Sequence, residues 1–155
     1  MRAVKNRKRI SRNTNLIEEF TKNAILESQT ALVVDFFHDE TLSLSASKKK
    51  IRSFFEKIRE KLRETEHIVL TTMDNQMPCH KGLFFGVLPD QGDRIIEAAW
   101  PNCRIRSVEK GGANQYAYEF SDFYSEAAEN LSETKENSRN TKSKLFQRSR
   151  IPIFK

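Results

Sequence analysis

The chain has 155 residues, of which 37% are hydrophobic, with 11 Phe, and 31% charged, enough for one domain with a real core. No run approaches the roughly 18 apolar residues of a membrane span, and the basic N-terminus lacks the apolar stretch of a secretory signal. The two Cys, Cys79 and Cys103, make no disulfide framework and suit a reducing, intracellular compartment, cytoplasmic or nuclear.

The formal net charge of +6 is unevenly spread. Residues 1–13 hold six Lys/Arg and no acid, and residues 131–155 hold seven against two Glu, so the middle is net acidic. Both ends lack regular apolar spacing, and we expect a basic disordered arm over 1–13 and a basic disordered tail over 131–155. Such ends attract nucleic acid or anionic lipid through phosphate contacts without reading a sequence. The interval 14–130 is expected to form a single domain.

In chain order, Thr14 caps a first helix that places Leu16, Ile17, Phe20 and Ala24 on one face. "ALVVDFF", 31–37, is short, β-branched and aromatic, and reads as a strand. Over 47–64, capped by Ser45 or Ser47, the stripe Ile51, Phe54, Phe55, Ile58 and Leu62 predicts a core-facing amphipathic helix. Then come "HIVLTT", "GLFFGVL", "RIIEAAW" and "CRIRSVE", separated by turn residues and read as antiparallel strands. "QYAYEF" follows the Gly111–Gly112 turn as a further strand, and Ser121 caps a closing helix. The sum is an α+β fold, a small antiparallel sheet of four to six strands packed against one or two helices.

One stretch carries a family likeness. "EHIVLTTMDNQMPCHKGLFFGVLPDQGDRIIEAAWPNCRIRSV" resembles the first half of the permuted NlpC/P60, papain-like superfamily and its lecithin retinol acyltransferase-like group. "HIVL" stands where the first family strand does, "HKGLFFG" at the strand opened by the family's His, and "RIIEAAW" at the third strand. The resemblance covers about residues 66–109. It implies a thiol hydrolase or acyltransferase acting on amide, thioester or ester bonds, with His80 as general base and Glu97 as the residue that orients it. The chain departs from the pattern at the nucleophile. The only Cys after His80 is Cys103, and Cys79 immediately precedes it, whereas the family Cys opens a helix well downstream. That departure implies an inactive relative, a truncated form, or a site completed by a second chain; Ser121 is a conceivable substitute nucleophile.

Other constellations are weaker. Asp35, His38, Asp39, Glu40 and Asp74 near strand ends are the residue types that two-metal nucleases gather. Cys79, His80 and Cys103 are zinc-ligand types without paired spacing. Gly82 and Gly86 permit close backbone approach or a bulge. No metal and no cofactor is expected. The alternative to thiol chemistry is a non-catalytic module that binds nucleic acid or acidic membrane through its basic termini.

Overall fold

The computed structural model describes residues 2–74, 77–132 and 146–148, with side chains for 12–73 and 77–128. Helix α1, Arg2–Glu27, leads into strand β1, Ala31–Phe37, and helix α2, Leu44–Ile58. Strands β2, Thr65–Asp74, and β3, Met77–Gly86, form a hairpin. Helix α3, Gly92–Ala99, strand β4, Cys103–Val108, helix α4, Ala113–Ser132, and a three-residue strand β5, Phe146–Arg148, complete the chain.

The sheet order is β4-β1-β3-β2-β5, and every neighbouring pair is antiparallel. β1 and β2 therefore run parallel with β3 between them, and β3 and β4 run parallel with β1 between them. This is the split βαβ arrangement used twice, an α+β fold. Helices cover both faces. Ile17, Ala24 and Ile25 of α1 and Phe120, Tyr124 and Ala128 of α4 pack on Ala31, Val33, Ile68, Leu70, Leu83 and Phe85. On the other face Ile51, Phe54 and Ile58 of α2 and Ile96 of α3 pack on Val34, Phe36 and Phe84.

Strand alternation sorts the side chains to these two faces. Gly82 lies between Val34 and Val69 in the ladder. A Cβ at Gly82 would come within 3.1 Å of the Phe36 ring, so the missing side chain lets Phe36 lie across β3. Gly86 ends β3 at a φ of +86°, a backbone conformation open mainly to glycine.

Four sequence expectations are corrected. "RIIEAAW" is helical: Ile95, Ile96 and Ala99 fall at helical spacing, and Asp93 in the first turn with two alanines favours a helix that the short apolar run alone did not distinguish. "QYAYEF" lies inside α4, because Tyr116, Ala117, Phe120 and Tyr124 continue one stripe through Ser121, whose hydroxyl donates to the Tyr118 carbonyl instead of capping. The cap of α2 is Ser43, whose Oγ accepts from the Ala46 amide at 3.1 Å, and Ser47 instead donates to the Leu44 carbonyl. Helix α1 begins at Arg2, so Thr14 is internal to it and not its cap. No Gly or Pro precedes Pro78, and Lys and Arg are good helix formers. Most of 131–155 lies outside the described residues, but Phe146–Arg148 pairs with β2.

On the α1/α4 face, Asp35 and Lys81 are direct cross-strand partners, with Oδ1 and Nζ 2.6 Å apart. Asp35 Oδ2 also accepts from Arg104 and Arg106, at 3.1 and 3.2 Å, and Arg106 continues to Glu119 of α4. Asp35 holds the buried end of this network, while the Arg104 side chain is 64% exposed. Asp35→Ala leaves the buried Lys81 only its longer contact to Glu119, at 3.4 Å, and is expected to cost about 3 kcal/mol in urea unfolding. Arg104→Ala, at the solvent edge, is expected to cost less than about 1 kcal/mol.

Candidate functional site

The α2/α3 face carries a different polar group. His80 lies between Phe36 and Thr71 in the ladder and is 1% exposed. Its Nδ1 lies 2.8 Å from Thr71 Oγ1, and its Nε2 lies 2.8 Å from Nε2 of His38. His38 follows β1 by one residue, and alternation from Phe36 brings it to the same face. The result is a buried chain of three side chains, Thr71–His80–His38, across three segments of the fold.

Trp100, at the C-terminal end of α3, covers the two imidazoles, its ring centroid 5.1 Å from His38 and 6.1 Å from His80. The indole Nε1–H donates to the Phe37 carbonyl at 2.9 Å. Asn102 holds the same two loops together: its carbonyl accepts from the Phe37 amide, and its Nδ2 donates to Asp39 at 2.7 Å.

Outside Trp100 a cleft of about 740 Å³ opens between α2 and the loop 99–102. His38, Phe37 and Asp39 form its floor and rim, and Lys49, Lys50, Ser53 and Lys57 form its α2 wall. Residues 50, 53, 54 and 57 share one side of the helix, so burying Phe54 at the base aims Lys50 and Lys57 across the opening. Lys50 pairs with Glu40 at 3.1 Å, whereas Lys49 and Lys57 make no ion pair with a described residue. Asp39 is the only acid on the walls and is hydrogen-bonded to Asn102.

The expected His80–Glu97 pair does not form. Glu97 sits on the exposed side of α3, and both ring nitrogens of His80 are engaged by Thr71 and His38. Cys79 precedes His80 within β3, so its side chain leaves on the opposite face. Cys103 is on β4, where burial first and the Glu97 charge second push its thiol above the usual range. Asp35, a metal-ligand candidate, is occupied by Lys81, Arg104 and Arg106. Among the described residues no three His, Cys, Asp or Glu side chains converge as metal ligands would.

Sequence reasoning places His38 only among metal-ligand types, misses its pairing with His80, and takes Trp100 as the end of an expected strand. The usable signal was parity: His38 is two residues beyond Phe36 and therefore on its face of the sheet. No family model, curated protein or solved structure matches the chain. Among the described residues no helix is long and apolar enough to cross a membrane.

The imidazoles are held neutral. Burial, then the neighbouring His38, lowers His80 to about 3, and burial lowers His67, stacked 4.0 Å from Phe55, to about 4. His38 is lowered by burial and by Lys50, with Asp39 and Glu40 opposing. The unfolded chain, whose imidazoles titrate near 6.5, binds more protons than the folded one below that pH. Stability from these groups is therefore complete above about pH 6.5 and is lost as pH falls toward about 4 for His67 and about 3 for His80. Thermal unfolding followed over that range is expected to show a falling Tm. His67→Phe keeps the stack on Phe55, removes one titrating ring and should flatten the fall. In an NMR titration, Lys50→Gln is expected to raise the His38 pKa.

Proposed function

We propose that the protein binds single-stranded nucleic acid in the cleft between α2 and the loop 99–102. The observation that carries the reading is the α2 wall, where Lys49, Lys50 and Lys57 face a cleft containing one acid that is already hydrogen-bonded. Cations held beside a concave surface attract phosphates. An aromatic residue stands beside them: Trp100, half-buried, lines the same cleft. Base stacking on such a ring is sequence-tolerant and needs unpaired bases, which favours a single strand over a duplex or a lipid headgroup. The basic ends of the chain add non-specific attraction of the same sign.

Thiol catalysis finds less support at this site. His80 has no nitrogen left for a thiol, and Cys103 lies in surroundings that disfavour its thiolate.

Fluorescence anisotropy with a labelled single-stranded DNA, titrated with salt, tests the reading. Replacing Lys49, Lys50 and Lys57 together by Gln is expected to weaken binding and to reduce the slope of log K against log salt by about 2, near 0.7 for each phosphate left unneutralised. Unchanged affinity in that variant would assign binding to the termini and overturn the cleft reading.

A further inference from the structure

Phosphate binding leaves one group of the cleft unused. His38 lines the opening, yet it is 7% exposed and its Nε2 is held by His80. Burying two imidazoles and a hydroxyl costs desolvation that apolar side chains in the same places would avoid. Nδ1 of His38 makes no hydrogen bond to another described residue, and His38 lines the cleft. Ser53, the hydroxyl on the α2 wall, makes no hydrogen bond to His38 that would activate it, and no thiol lines the cleft. The described residues thus offer a base and cations, and no nucleophile prepared for attack.

We propose that His38 is the catalytic acid–base residue of a ribonuclease site in this cleft, with His80 and Thr71 as positioning residues. The inference rests on the nucleic-acid reading above. RNA is the phosphodiester that suits such a site because it brings its own nucleophile, the 2′-hydroxyl. Neutral His38 takes the 2′-hydroxyl proton on Nδ1 while the 2′-oxygen bonds to phosphorus and the bond from phosphorus to the 5′-oxygen breaks. The departing 5′-oxygen takes a proton from water, and His38 returns its own proton to the hydroxide so formed. Charge developing on the non-bridging oxygens faces Lys50 and Lys57. The products are a 2′,3′-cyclic phosphate end and a 5′-hydroxyl end.

The positioning follows from hydrogen-bond polarity. With Nδ1 as base, the His38 Nε2–H donates to His80 Nε2, and the His80 Nδ1–H donates to Thr71 Oγ1. In that polarity Thr71 Oγ1 is the acceptor at the far end of the chain and holds both rings in the tautomer that leaves His38 Nδ1 unprotonated. Thr71→Val removes that acceptor at nearly constant shape.

The test incubates the full chain with EDTA and a fluorescein-labelled single-stranded RNA of mixed sequence, beside its 2′-deoxy counterpart. The RNA is expected to be cut to cyclic-phosphate ends and the DNA to be bound uncut. His38→Gln is expected to keep RNA affinity and cut at least about 100-fold more slowly. Thr71→Val is expected to keep affinity, cut more slowly and shift the pH–rate profile, a change that a purely structural role would not produce. RNA bound but left intact across about pH 5 to 9 would overturn the ribonuclease inference while leaving the binding reading in place. Cutting by His38→Gln at the parent rate would also overturn it. Failure to bind either strand would overturn both.

Discussion

The pairing of β1 with β3 is the constraint on which the rest depends. These central strands are covered on both faces, so the two-residue repeat assigns every side chain to one packed layer or the other. Phe36↔His80 and Asp35↔Lys81 are successive rungs of one ladder. The first sends an aromatic ring and an imidazole toward α2 and α3; the second sends an ion pair toward α4. A slip of one residue would place Asp35 and Lys81 against Phe54 and Trp100, where no counter-charges wait. Register and electrostatics therefore enforce each other.

The cleft follows from where the strands stop. β1 ends at Phe37, and the next residues turn away, so His38 and Asp39 stand at the margin of the sheet rather than beneath a helix. The loop after α3 is fastened to that margin by Trp100 and Asn102 through bonds to the Phe37 backbone and to Asp39. A rigid floor and a fastened rim leave the lysine side chains of α2 as the adjustable wall. Exposed lysines carry large rotamer entropy, suiting backbone phosphates better than a ligand of fixed shape.

Much of this architecture was legible in the residues. β-branched runs marked β1 to β3, and the stripe through Ile51, Phe54 and Ile58 marked α2 and its buried face. Where the reading failed, two periods competed over few residues. Ile95 and Ile96 in an eight-residue element satisfy strand and helix alike, and the packing of Ile96 in the cluster with Phe36 and Phe84 adds what the apolar run lacks. The site was half legible. His80 stood out at the start of an apolar run, but its partner lies 42 residues away in sequence and reaches it through an antiparallel register that no local pattern encodes. Glu97 drew attention only on the premise that its segment was a strand. Once that segment is a helix, the carboxylate belongs to solvent.

The sheet's outer boundaries have a consequence for how copies of the chain meet. β4 has six residues and β5 three, against ten in each strand of the hairpin that β5 borders. Short margins present few unsatisfied amides to a neighbour, and β4 also carries the guanidinium groups of Arg104 and Arg106. A second molecule approaching that border would meet like charge before it could extend the ladder. The two central strands, β1 and β3, are thereby kept inside the sheet, and β5 borders β2 at Ile68, Val69 and Leu70.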